Sequence, residues 1–200
     1  MVVVIDYKLG NITSVLNGFK RAGVDVTLSN TPSVIKQADV LILPGVGAFK
    51  DAMDDLIDSG LDVLIKNHVN QGKLLIGICL GMQLLFETGF EFGKTSGFGF
   101  LKGTVRKIDT HYKIPHMGWN DLTITKNDSI VTNINNGDYV YFIHSFKAEA
   151  FQEDIIATTT YGEMIPAIVR KNNVIGMQFH PEKSGLIGLK LLTNIKEEIA

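Results

Sequence analysis

The sequence predicts an α/β fold, a doubly wound, mostly parallel central sheet with flanking helices and a strand-rich C-terminal half. Three observations predict it. The apolar runs Val2–Ile5, Val40–Leu43 and Leu74–Ile78 are continuous rather than alternating, as in parallel strands covered on both faces. Segments with helical spacing lie between those runs. The second half changes to short strand-like stretches separated by turn residues.

Val2–Ile5 reads as the first strand. Ile12, Val15, Leu16 and Phe19 then share one helix face, with Asn11 as N-cap and Gly23 at the C-terminal stop. Val40–Leu43 is the next clear strand, followed by a short helix around Phe49, Met53, Leu56 and Ile57. A further helix face is formed by Leu61, Leu64, Ile65 and Val69 and stops near Gly72, before the strand Leu74–Ile78. The first half therefore has the rhythm β-α-β-α-β-α-α-β-α of a doubly wound sheet. In the second half strands are expected over 104–108, 122–125, 139–143, Ile155–Thr160, 167–170 and 174–178. Lys171-Asn172-Asn173 suits a hairpin between the last two. A closing helix places Ile187, Leu191, Ile195 and Ile199 at steps of four, with Leu192 beside them. With no repeat, low-complexity segment or linker, residues 1–200 are expected to form a single domain.

A chain of 200 residues can bury one substantial α/β core. A net charge of -2 without long Lys/Arg runs argues against nucleic-acid and membrane-surface binding. The apolar runs are strand-sized, well short of the roughly 20 residues of a membrane span. The opening Met1-Val2-Val3-Val4-Ile5-Asp6 meets an acidic residue too early for a secretory leader, so a cytoplasmic location is expected. One cysteine excludes an internal disulfide and a multi-cysteine zinc site.

That cysteine, Cys79, follows the buried strand in Gly77-Ile78-Cys79-Leu80-Gly81, the cysteine version of a nucleophile elbow. A nucleophile on a sharp strand-to-helix turn crowds its neighbours, which accounts for glycines two positions before and after. The helical segment expected over Met82-Gln83-Leu84-Leu85-Phe86-Glu87 would bring its N-terminus behind the sulfur and support the reactive thiolate. It would also leave the Leu80 N–H for an oxyanion. A small buried cysteine closing a core strand is the plain alternative.

Near the C-terminus the last strand runs into His180-Pro181-Glu182. Residues two apart in extended chain point the same way and Pro181 stiffens the link, so the Glu182 carboxylate can orient the His180 imidazole. Cysteine, histidine and glutamate then make a nucleophile–base–orienter triad.

These motifs resemble those of the class I glutamine amidotransferases. Further segments, namely Asp6-Tyr7, Gly10-Asn11, Pro44-Gly45-Val46-Gly47, His116-Met117-Gly118-Trp119-Asn120, Tyr141-Phe142, His144-Ser145 and Lys183-Ser184, resemble the glutaminase subunits of imidazole glycerol phosphate synthase. The resemblance runs over essentially the whole chain. It implies hydrolysis of glutamine by Cys79, His180 and Glu182, with no metal or organic cofactor. It implies an oxyanion site at Leu80, Val46 and Gly47, and substrate contacts from Gln83, Ser145 and Phe146. It also implies a partner, a (β/α)8-barrel cyclase subunit that uses the ammonia in histidine biosynthesis, with Trp119, Lys183 and Asn11 as interface candidates. Two departures stand out. Lys8-Leu9 replaces the glycine that usually follows Asp6-Tyr7, and Phe146 stands where tyrosine is frequent.

Other readings are weighed against this one. An amidotransferase feeding another synthase, a cysteine hydrolase of another amide, or a non-catalytic regulatory subunit could share the fold. Gly89-Phe90-Glu91-Phe92-Gly93-Lys94-Thr95 is one residue short of a P-loop and follows a helical rather than a strand pattern. His68 reads as a core-edge residue, His111 and His116 as members of a loop-like stretch without zinc spacing, and His144 lacks a carboxylate two residues away. Finally, Gly45 and Gly47 leave the Val46–Gly47 peptide free to rotate, so partner-dependent completion of the oxyanion site is expected.

Overall fold

The computed structural model describes residues 1–7 and 11–198. The first half runs β1 (Val2–Ile5), α1 (Ile12–Arg21), β2 (Val26–Ser29), α2 (Pro32–Gln37), β3 (Val40–Leu43), α3 (Phe49–Asp58), α4 (Leu61–Asn70), β4 (Leu74–Ile78) and α5 (Leu80–Leu84). This reproduces the expected rhythm element for element. The second half continues with β5 (Phe86–Gly89), β6 (Thr95–Ser96), β7 (Leu101–Lys107), β8 (His116–Asp121), β9 (Thr123–Ile124), β10 (Tyr139–His144) and β11 (Phe146–Ala150). It closes with β12 (Ile155–Thr160), β13 (Met164–Lys171), β14 (Val174–Met177) and α6 (Gly185–Glu197).

The main sheet has eight strands in the order β2-β1-β3-β4-β14-β13-β12-β9. The five strands from β2 to β14 are parallel, and β13, β12 and β9 continue antiparallel, so the sheet is mixed. Asn172 and Asn173 make the two-residue turn between β13 and β14, with Asn172 at φ 52°. Two smaller sheets pair β10 with β8, and β11 with β7, β5 and β6.

The continuous apolar strands have the predicted cause. On β1, Val2 and Val4 pack with Phe19, Leu191 and Ile195, whereas Val3 and Ile5 pack with Phe49, Leu56 and Ile65. Helices α1 and α6 thus cover one face, and α3 and α4 the other. Each such fully buried side chain stabilises the fold by about 1.5–3 kcal/mol relative to exposure. Among the described residues no helix is long and apolar enough to cross a membrane.

Four expectations need correction or delimitation. The helix after Cys79 ends at Leu84, because the backbone beyond it bonds elsewhere: the Leu85 carbonyl accepts from Leu101 N and the Glu87 carbonyl from Gly97 N. Phe86 and Glu87 therefore open β5. His116 begins strand β8 rather than lying in a loop, its register fixed by pairing with His144. Ile57 is exposed on α3, whose buried side chains are Phe49, Ala52, Met53 and Leu56. Ile199 and Lys8-Leu9 lie outside the described residues.

Candidate active site

Three neighbouring parallel strands, β3, β4 and β14, carry the site from their carboxyl ends, the usual location in open α/β sheets. At the end of β4, Cys79 adopts φ 56°, ψ -112°, a strained conformation for a side chain other than glycine. Its N–H donates to the Met177 carbonyl at 2.7 Å, which fastens the turn to β14. The flanking glycines are required by space. A Cβ at Gly77 would lie 2.5 Å from the Gly81 carbonyl oxygen, and one at Gly81 only 1.8 Å from the Leu43 oxygen.

Past β14, His180 Nδ1 and Glu182 Oε1 are 2.8 Å apart and both residues are buried. The segment is clamped by its own backbone. His180 N–H donates to the Tyr141 carbonyl at 2.9 Å, and Ser184 Oγ donates to the His180 carbonyl at 2.6 Å. Arg21 on α1 reaches the Glu182 carbonyl at 2.9 Å, and Gly18 leaves the room that the Glu182 stem occupies. Burial alone would lower the His180 pKa, but the Cys79 sulfur and the Glu182 carboxylate outweigh it and push it up to about 10. Its Nε2 makes no hydrogen bond among the described residues, and His180 and Cys79 line the same cavity of about 290 Å³.

Val46 and Gly47, just after β3, line that cavity beside Leu80. The backbone of Gly45, just before them, runs close to the elbow. A Cβ at Gly45 would meet the Tyr7 hydroxyl at 2.5 Å and Leu80 Cβ at 3.1 Å. Tyr7 donates to the Pro44 carbonyl at 2.6 Å, and its burial keeps the phenol protonated. Gly47 differs from Gly45: no atom lies within 4 Å of a Cβ there, and the glycine is needed for its φ of 99°.

Gln83, Ser145 and Phe146 also reach the cavity. Gln83 is buried, and its Nε2 donates to the Phe146 carbonyl at 2.9 Å and to Gln178 Oε1 at 3.0 Å. Three lining residues, Glu91, Pro115 and Ile143, escaped the sequence reading as site candidates, and His144, set aside there as a base, lines the cavity as well. Glu91 borders the cavity while its Oε2 accepts from Phe49 N–H at 2.8 Å, supplying the cap that Ala48 cannot give to α3. Its segment shows no periodicity, and only the P-loop likeness drew notice to it.

Of the remaining histidines, His144 borders the Cys79–His180 cavity, whereas His68 and His116 do not line it. His68 Nε2 bonds the Leu74 carbonyl at 2.9 Å from a buried helix position. His116 and His144 pair with each other in the interior. Among the described residues no group of three His, Cys, Asp or Glu is placed to hold a metal ion. Of the interface candidates, Trp119 is 55 % exposed and packs edge-on against Tyr141, and Lys183 Nζ lies over the same ring, each at 6.0 Å. Asn11 is exposed at the start of α1, where its Oδ1 accepts from Ser14 N–H.

A family model described as glutamine amidotransferase class-I matches residues 3–195. The imidazole glycerol phosphate synthase subunit HisH of Lactococcus lactis subsp. lactis is 51 % identical over 99 % of this chain and 98 % of its own. The chain belongs to the HisH family of class I glutamine amidotransferases. The HisH subunits of Caldanaerobacter subterraneus subsp. tengcongensis and Bacillus subtilis are 50 % and 45 % identical, over all of this chain and 98 % and 97 % of theirs. A solved structure of PurLQS from Thermotoga maritima superposes with a TM-score of 0.78 at 20 % identity, covering 100 % of this chain and 98 % of that one. At that identity it establishes the shared fold only. In this HisH-family chain the Cys79 elbow and the His180 imidazole line one cavity.

Proposed function

We propose that Cys79, His180 and Glu182 are the catalytic triad by which this glutaminase subunit of imidazole glycerol phosphate synthase hydrolyses glutamine. The single observation that carries the assignment is a strained cysteine and a glutamate-bonded histidine opening onto one cavity. Cys79 Sγ attacks the carboxamide carbon as thiolate, with the thiol proton held on His180. The N–H groups of Leu80 and the Val46–Gly47 segment hold the oxyanion. His180 then gives its proton to the departing ammonia, leaving a thioester on Cys79. Water attacks the thioester after losing a proton to His180, and glutamate leaves as that proton returns to the sulfur. Glu182 fixes the imidazole tautomer through Nδ1 and steadies its positive charge. Removing one oxyanion donor typically costs about 10²–10³ in rate.

Gln83, Ser145 and Phe146 hold the amino-acid end of glutamine, and the Glu91 carboxylate supplies the charge its α-ammonium needs. The ammonia passes to a cyclase subunit, a (β/α)8 barrel, for imidazole glycerol phosphate formation in histidine biosynthesis, in the cytoplasm. That partner docks on the face where Trp119 and Lys183 share Tyr141 and where Met117, Tyr139 and Leu186 are exposed. Asn11 extends the same contact. Large apolar side chains that remain exposed together mark an interaction surface.

The test is Cys79→Ala. It should abolish glutamine hydrolysis while the complex with the cyclase still uses free ammonia at the wild-type rate. Glutamine turnover near wild type would remove Cys79 from its role, and loss of both activities would indicate a damaged fold or interface instead.

A further inference from the structure

Strand β8 faces two ways. Met117 and Trp119 point outward, while His116 and Asn120 turn into the protein across Gly118. The inward residues form a chain of hydrogen bonds. Asn120 Nδ2 is 3.1 Å from His116 Nε2, His116 Nδ1 is 3.0 Å from His144 Nε2, and His144 Nδ1 is 2.8 Å from the Phe146 carbonyl.

The direction of every proton in this chain is forced. The Phe146 carbonyl can only accept, so His144 carries its hydrogen on Nδ1 and presents a lone pair at Nε2. His116 Nδ1 must therefore donate, which leaves His116 Nε2 as acceptor for the Asn120 amide. The Asn120 amide is itself oriented, since its Oδ1 accepts from Asp121 N–H and its Nδ2 also donates to the Thr160 carbonyl, each at 3.0 Å. A proton added to either ring would put two N–H groups face to face. Burial opposes that addition, lowering His116 to about 4, while burial with the neighbouring His116 and His180 lowers His144 to about 3. His116 is stacked between Phe142 and Tyr161, at centroid distances of 4.7 and 4.1 Å, which holds its ring plane.

The chain ends on the cavity wall. The Phe146 carbonyl receives two donors, His144 Nδ1 and Gln83 Nε2, and the Ser145 carbonyl accepts from Ile108 N–H at 3.0 Å. The Ser145–Phe146 edge cannot rotate without giving up these bonds. We propose that Asn120, His116 and His144 form a one-way, charge-neutral hydrogen-bond relay that positions the Ser145–Phe146 edge of the pocket for glutamine binding. His116 and His144 are positioning residues, and the proposal rests on the reading of this cavity as the glutamine site.

Two measurements on the chain in complex with its cyclase test the relay. In the wild type, NMR of labelled histidine should find both rings as the neutral Nδ1–H tautomer, unchanged from pH 5.5 to 8.5. An Nε2–H tautomer, or titration of either ring in that range, overturns the relay. In steady-state glutaminase assays, His144→Phe should raise the glutamine KM about tenfold, one buried hydrogen bond's worth, with kcat within about threefold. His144→Asn keeps a donor for the Phe146 carbonyl and should recover most of that loss. A His144→Phe KM within about twofold of wild type overturns the proposal, as does a fall in kcat alone. If that variant does not fold, His116→Phe makes the same comparison, and the wild-type tautomers decide independently. A wild-type complex that turns over no glutamine would refute the glutamine reading, whereas turnover with an unmoved KM refutes only the relay.

Discussion

Gly18 on α1 and Glu182 are packed so closely that a methyl group at position 18 would lie 2.6 Å from Glu182 Cβ and 3.1 Å from its Cα. Glycine inside a helix costs about 1 kcal/mol relative to alanine, so this position is held by space and not by propensity. Gly18→Ala should therefore displace Glu182 and lower glutaminase activity by about 10-fold or more, within the loss typical of a general acid–base residue. Ammonia-dependent synthesis by the complex should persist. Wild-type glutamine kinetics in Gly18→Ala would show that the packing does not govern the carboxylate.

The raised His180 pKa has a consequence for stability. Held up to about 10 against an ordinary 6.5, His180 binds its proton more tightly in the folded protein than in the unfolded chain. The resulting stabilisation is complete below pH 6.5 and is lost as the pH rises through 10. The Tm difference between wild type and His180→Gln should shrink across that window. A constant difference would mean that His180 is not held as an imidazolium.

His116 and His144 have the opposite sign. Burial holds them at about 4 and about 3, so between those values and 6.5 the unfolded chain binds protons that the folded protein refuses. Their contribution is present above pH 6.5 and is lost as the pH falls toward 4. Replacing one of them should flatten the dependence of unfolding free energy on pH over 6.5–4.5, by up to about 1.4 kcal/mol per pH unit. Denaturant titrations at several pH values measure it, and an unchanged slope would count against neutral, buried rings.

Gly81 and Gly47 separate a steric from a conformational requirement. A Cβ at Gly81 meets the Leu43 backbone oxygen at 1.8 Å, so Gly81→Ala should cost at least about 1–3 kcal/mol and lower Tm by several degrees. Gly47 has open space but a φ of 99° that an L side chain resists. Gly47→Ala should leave Tm much less affected while reducing cyclase-stimulated glutamine turnover by about 10²–10³, the worth of one oxyanion donor. The same assay, run on the chain alone, with cyclase, and with cyclase plus its sugar-phosphate substrate, measures how far the partner completes the site. Rates within about tenfold of one another would mean a site formed without it.

The parallel core was legible in the sequence because strands buried on both faces must be apolar at every position, as in Val2–Ile5 and Leu74–Ile78. The elbow was legible because Gly77 and Gly81 leave a local signature of crowding. Strand β8 was not, since its inward positions hold His116, Gly118 and Asn120, where His116 bonds Asn120 and His144 and no residue continues an apolar alternation. Strand β5 was hidden because Leu84, Leu85 and Phe86 extend an apolar run that reads as helix until pairing with β7 is seen. Glu91 could not be found from spacing at all: its place at the cavity comes from capping α3 across 42 residues of chain.

Cys79 is the only cysteine in the chain, and it is 6 % exposed at the cavity. Thiol-directed reagents therefore report on a single address without any mutagenesis. Intact-mass spectrometry after alkylation should count one adduct per chain, and the labelling rate becomes a direct gauge of access to the sulfur. Glutamine should shield it, and an electrophilic glutamine mimic should tag it in competition with substrate. The same uniqueness lets a spectroscopic label, once attached, watch the pocket from within, with no second thiol to contaminate the signal.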